Sequence, residues 1–245
     1  MPPLIGCCGW SEAQARYLLH FPVIEIQSTF YDPPAPKVAA RWRALAPSGF
    51  TFCIKAWQLI THTPSSPTYR RLRSPIDPRD GDSLGSFRCT AQVWRAWEKT
   101  REIAEALQAA VVVFQCPASF QPTAANLRNF TQFFRKASRQ SFRMAWEPRG
   151  PWPSALVHEL CVEHDLIHCV DPFVNGSVYG DALYWRLHGK GAYSYRYTDE
   201  DLGDLQEMLR LRPAAQPAYI LFNNVSMKVD ADRFSHLFQR FPVSP

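Results

Sequence analysis

The chain has 245 residues, 46% of them hydrophobic, with a net charge of +5 and a pI near 8.9. That is apolar material for one large domain or two small ones and excludes a disordered chain; the mild basic bias permits an anionic ligand but falls short of a dedicated duplex binder. Seven cysteines with no C-x-x-C spacing argue against a disulfide framework or a common zinc site, and the absence of a leader pattern or of an apolar run near about 18 residues predicts a soluble, cytoplasmic protein without membrane contact.

Short apolar, β-branched runs bounded by turn residues predict strands, and longer mixed segments between them predict helices. In chain order, a strand over Leu4 to Cys8 is followed after about 14 residues by one over Val23 to Gln27. A helix over 36–45 leads to a strand over Phe50 to Lys55. The stretch from Trp57 to Phe87 has no clear period and carries Pro64, Pro67, Pro75 and Pro78 with Arg70, Arg71 and Arg73, which predicts a long loop. A helix over 90–109 and a strand over Val111 to Gln115 come next. Pro122-Thr123 signals the start of a helix over 123–138, before a strand over Phe142 to Glu147. A helix over 153–164 precedes a strand over Leu166 to Asp171, which a short Gly-containing connection joins to Tyr184 to His188. Thr198 before Asp-Glu-Asp opens a helix over 198–211, and a strand over Ala218 to Asn223 and a helix over 231–240 finish the chain.

Eight strands alternating with helices imply parallel pairing and closure, hence an α/β fold: a single-domain (β/α)8 TIM-barrel-like chain over 1–245, with a long loop after the third strand. The connections after the first and sixth strands are too short for full helices. The 57–87 loop follows a strand end and therefore lies over the face of the barrel where such proteins bind ligands.

Alternation along each strand separates a helix-facing apolar set from a lumen-facing polar set. The lumen set is Glu25, Gln27, Lys55, Gln115, Arg143, Glu147, Asp171, Arg186, His188 and Asn223. Unpaired buried charges cost several kcal/mol, on the order of 5, so these groups must pair or be wetted by a cavity. Most of them end their strands, where side chains converge on the floor of a barrel site.

The segments Ile5-Gly-Cys-Cys-Gly-Trp10, Val23 to Tyr31, Arg41-Trp42, Phe52 to Ala56 with Ile60-Thr-His62, Phe114-Gln-Cys-Pro117, Trp146-Glu-Pro-Arg149, Arg186-Leu-His-Gly189 and Phe222-Asn-Asn224 resemble, in order and over nearly the whole chain, the signature blocks of the YecE-like family of unknown function. The resemblance implies a barrel distantly similar to those of apurinic endonucleases and sugar isomerases, with no settled activity or cofactor.

Glu25 and Glu147 are candidates for paired acid–base work, His188 for proton transfer near neutrality, and Lys55 for anion binding or, if burial lowers its pKa, for nucleophilic attack. Gln27, Tyr31, His62, Gln115, Arg149, Asp171, Arg186 and Asn223 are candidate substrate-binding residues. Three acids face three bases in the lumen, which leaves few free metal ligands, so no metal or other cofactor is expected. Trp10, Phe30, Tyr31, Trp57 and Trp152 follow strand ends, where rings could stack a sugar or base beside Arg70, Arg71, Arg73 and Arg149. Three functions follow as expectations: a hydrolase acting on a phosphate-containing nucleotide, nucleic acid or sugar phosphate by Glu/His chemistry; a carbohydrate isomerase or glycosidase; or a non-catalytic module for single-stranded nucleic acid.

Overall fold

The computed structural model describes residues 1–73, 76–139, 141–213 and 215–240. Eight strands, β1 Leu4–Cys8, β2 Val23–Ile26, β3 Thr51–Lys55, β4 Val111–Gln115, β5 Arg143–Glu147, β6 Ile167–Val170, β7 Leu183–Leu187 and β8 Ala218–Phe222, close into a barrel in sequence order. All neighbours are parallel, including the closing pair of β1 and β8. The expected (β/α)8 fold is the observed one. Gln27, Asp171, His188 and Asn223 each lie one residue beyond their strands, because the backbone there has already left the ladder for the mouth.

The helices are α1 Gln14–His20, α2 Ser28–Tyr31, α3 Pro36–Leu45, α4 Gln58–Thr61, α5 Ala91–Leu107, α6 Ala124–Lys136, α7 Ser154–His164, α8 Asp199–Arg210 and α9 Met227–Arg240. Thr123 caps α6 by accepting from Asn126 N at 3.2 Å, and Thr198 and Asp201 form a reciprocal capping box on α8, as their spacing predicts. Helix α1 has seven residues, and none stands between β6 and β7, so both short connections are as expected. Helix α9 begins at Met227, ahead of the expected 231.

Inside the wall, alternation packs Cys8, Val23, Cys53, Val111, Val113, Ala145, Ile167, Cys169, Tyr184, Tyr219 and Leu221 into an apolar plug. Outside it, Ile24, Phe52, Val112, Phe114, Met144 and Trp146 meet the helices. The polar lumen expected from the sequence is therefore the upper part of a filled barrel, and Arg143, at the first position of β5, is a correction to that set. It stands at the opposite rim, where its Nε donates to Asp181 Oδ2 at 2.6 Å in an exposed pair.

The stretch after β3 is an ordered cover. Beyond α4 it makes 3-10 turns at Pro67–Arg71 and Pro78–Ser83, and Ser74 and Pro75 lie outside the described residues. Its return is clamped to α4 by backbone bonds from Gly85 N to Leu59 O at 2.8 Å and Phe87 N to Ile60 O at 2.9 Å. Phe87 is fully buried against Phe120, Phe130, Phe133 and Phe134 with ring centroids 5.2–5.4 Å away, each such ring contributing roughly 1.5–3 kcal/mol of burial. That anchor holds the turn carrying Thr68 and Arg71 over the barrel mouth.

Candidate active site at the barrel mouth

Arg186, in β7, is fully buried at the centre of the lumen. Its Nη1 donates to Glu147 of β5 and, at 3.1 Å, to Gln115 Oε1 of β4; its Nη2 lies 3.0 Å from Glu25 Oε1 of β2. Glu25 also accepts from Tyr184 Oη at 2.8 Å and from the Gln27 amide. A charge buried to this depth is tolerable only when so enclosed. Glu25 is wholly buried and lines neither of the two cavities at the mouth, so it acts on the site through Arg186 and Gln27.

One layer higher, Arg149 donates from Nε at 3.0 Å and Nη2 at 2.8 Å to Glu147 Oε1. Burial would raise the Glu147 pKa, but Arg186 and then Arg149 overcome it and hold the carboxyl down at about 2. A carboxylate so stabilised is a weak base at neutral pH and stays ionised.

Arg149 Nη2 also points at His188 Nε2, 2.8 Å away. A guanidinium only donates, so this ring nitrogen must carry the lone pair and Nδ1 the proton. Nδ1 faces Asp171 Oδ2 at 3.5 Å, and the same oxygen accepts from His188 N at 2.9 Å. Asp171 is itself fixed by Phe173 N, which donates to its Oδ1 at 3.1 Å. The imidazole is thus set in the tautomer that offers its basic nitrogen to the mouth. Gly189 follows at φ +90°, where a side chain would overlap Ala192 O, and its N–H donates to Tyr197 Oη at 2.8 Å, turning the chain away from the ring.

Lys55 ends β3, with its carbonyl held by Thr29 Oγ1 at 2.7 Å and its Nζ 3.7 Å above the Phe30 ring. Among the described residues Nζ makes no ion pair or hydrogen bond. Burial, helped by the charge of Arg186 and opposed by Glu147 and Glu25, lowers its pKa to about 7.

Two cavities open at this end and share Arg149 and His188. One, of about 510 Å³, is lined by Cys8, Gln27, Phe30, Tyr31, Lys55, Thr68, Arg71, Gln115, Tyr193 and Asn223 besides the shared pair, with Arg71 stacked 3.6 Å over the Tyr31 ring. The other, of about 430 Å³, lies toward Trp152, His168 and Asn175. Of the sequence-predicted residues, Gln27, Tyr31, Lys55, Gln115, Arg149, His188 and Asn223 meet at the first cavity, and Glu147 and Asp171 line the second.

His62 is not brought there. It is buried against Phe30 and Thr61, and burial, with the charges of Lys55 and Arg149, depresses its pKa to about 3, so it stays neutral. Arg70, Arg73, Trp10 and Trp57 also line neither cavity. Sequence reasoning missed Tyr184, which the same alternation places two residues before Arg186, and His168. The latter lies on the outward parity of β6, where the missing helix lets the 171–182 connection fold over it; Val178 N donates to its Nδ1 at 3.2 Å. Among the described residues, no group of three His, Cys, Asp or Glu side chains is placed to hold a metal ion, and no helix is long and apolar enough to cross a membrane.

A family model described as "Protein of unknown function DUF72" matches residues 4–241. The UPF0759 protein YunF of Bacillus subtilis strain 168 is 21% identical over 288 aligned positions covering 98% of this chain and 94% of that protein. The crystal structure of a DUF72 family protein from Enterococcus faecalis V583 superposes with a TM-score of 0.71 at 19% identity, covering 98% of both chains. Endonuclease IV from Thermus thermophilus shares the fold at a TM-score of 0.54 and 12% identity, over 97% of this chain and 98% of its own.

Proposed function

The chain belongs to the DUF72 family, and on that premise we propose that it is an enzyme that binds a phosphorylated, sugar-like small molecule in the cavity of Lys55, Arg71 and Arg149 and moves a proton at His188. The narrower kinship to the YecE-like proteins is part of this proposal. The observation that carries it is the division of charge: Glu25 and Glu147 are neutralised by arginines and Asp171 is tied to His188, while nitrogen donors face the open cavity. Such a lining selects an anion with hydroxyl groups, for which Gln27, Gln115 and Asn223 supply amides and Tyr31 a flat face.

Phosphate arriving at Arg149 competes with His188 for Nη2, because a doubly charged oxyanion is the stronger acceptor. Release of that donor frees the Nε2 lone pair beside the bound molecule, coupling binding to base activation. Phosphoester hydrolysis by the glutamates draws less support, since Glu147 is held at a low pKa and Glu25 lies beneath the floor. A retaining or inverting glycosidase, which needs two carboxyls facing the reacting carbon, is disfavoured on the same ground. The likeness to endonuclease IV is one of fold and leaves the choice of chemistry to the site.

The test is the melting temperature of wild type, Arg149→Leu and His188→Asn in the presence of inorganic phosphate, ribose 5-phosphate, ribose and a short single-stranded oligonucleotide. The sugar phosphate should stabilise wild type and His188→Asn and lose most of its effect on Arg149→Leu. Equal stabilisation by ribose would remove the anion from the reading. A shift given by the oligonucleotide alone and abolished by salt would replace the enzyme with a binding module.

A further inference from the structure

Lys55 is the one lysine buried among the described residues; Lys190 pairs with Asp201 and Lys228 with Glu12 at the surface. Its β3 carbonyl is fixed by Thr29, its amine stands 3.7 Å over the Phe30 ring, and the residue lines a cavity whose anion-holding groups are already Arg71 and Arg149. A buried amine that makes no ion pair, beside two guanidiniums that serve an anion better, is surplus as a cation. The uncharged amine is a nucleophile, and its natural electrophile is a carbonyl carbon.

We propose that Lys55 forms an imine with the carbonyl carbon of an open-chain aldose or ketose phosphate whose phosphate is held by Arg71 and Arg149. The inference rests on the substrate class argued above and adds the reacting group. The Nζ lone pair adds to the carbonyl carbon, forming a C–N bond as the C=O π electrons move to oxygen, which takes up a proton. The nitrogen gives up one proton, the hydroxyl leaves with another as water, and the product is a protonated imine; no oxidant or reductant is consumed. The imine makes the adjacent C–H acidic, and the basic Nε2 of His188 on the same cavity is the group to take that proton. Burial, together with the charge of Arg186, brings the amine to about 7, so the nucleophilic form is abundant at neutral pH.

The experiment is reductive trapping of the full chain with sodium cyanoborohydride at pH 7, using D-glyceraldehyde 3-phosphate and, separately, D-glyceraldehyde, followed by peptide mass spectrometry. The expected result is one adduct, on Lys55, forming about tenfold faster with the phosphorylated aldehyde, a factor within reach of one guanidinium–phosphate contact. Lys55→Arg and Lys55→Met, each checked for folding by circular dichroism, should form no adduct at this site. Labelling of Lys37, Lys136 and Lys190 without enrichment at Lys55 would overturn the inference. So would the absence of any adduct under conditions where ribose 5-phosphate raises the melting temperature, and that outcome would leave the anion site standing. Trapping on Lys55 at equal rates with both aldehydes would keep the imine and remove the phosphate.

Discussion

Lys55 imposes a pH dependence on stability that its neighbours do not share. The unfolded chain holds this proton up to about pH 10.4, and the folded one up to about 7. Between those values the unfolded state binds more protons, so this residue destabilises the fold fully below pH 7 and progressively less as pH rises toward 10. Lys55→Met should therefore be more stable than wild type at pH 7 by on the order of 2 kcal/mol, a figure discounted for the lost contact with Phe30, and the gap should close by pH 10. Urea midpoints at the two pH values read it directly; a gap independent of pH would show an ordinarily titrating lysine. The position of Lys55 was legible from alternation in Phe52-Cys-Ile-Lys55. Its isolation was not, because that depends on Arg186 drawing Glu25 and Glu147 to itself from two other strands.

The strands were legible because each is a short, largely apolar run whose parity decides what faces the lumen, and helices α5, α6 and α8 because a threonine caps each at the start of an amphipathic period. The cover after β3 was legible only as a loop, since its turns are set by a clamp that forms in three dimensions. Gly85 is the joint of that clamp: at φ +76° an added Cβ would lie 2.3 Å from His62 O and 2.4 Å from His62 C, both backbone atoms that cannot swing away. Gly85→Ala should cost about 2 kcal/mol or more, combining an unfavourable φ with displaced backbone. Because the clamp is local, amide exchange should accelerate over 59–63 and 85–88 while β4 and β5 keep the protection of the global transition. Unchanged exchange in this segment would mean the cover is held by Phe87 alone. His168 teaches the converse point: on an outward strand position the sequence predicts a helix contact, and only the absence of a helix between β6 and β7 turns it toward a cavity.

At the scale of the barrel, Arg186 and its carboxylates join β2, β5 and β7 across the lumen just above the apolar plug, so the site's electrostatics and the closure of the fold rest on the same atoms. Breaking such a network from one side is worse than removing it. Arg186→Met leaves Glu25 buried without a counter-charge and Glu147 with Arg149 alone, and should cost about 3–5 kcal/mol, whereas the triple variant Glu25→Gln, Glu147→Gln, Arg186→Met removes all three charges of the network together and should recover at least half of that loss. The acid limb separates the two effects. Glu147 titrates at about 2 in the folded state against an ordinary 4.5, so its contribution, on the order of 3 kcal/mol, is fully present above pH 4.5 and is lost as pH falls toward 2. Wild type should lose stability steeply over that interval, and the triple variant, having no such group to protonate, should show a shallower limb in chemical unfolding measured from pH 5 to 2. If the triple variant were no more stable than Arg186→Met, and its acid limb as steep as that of wild type, the network would not be what couples the mouth to the barrel, and the stability of this layer would have to come from the amides and Tyr184 that surround it.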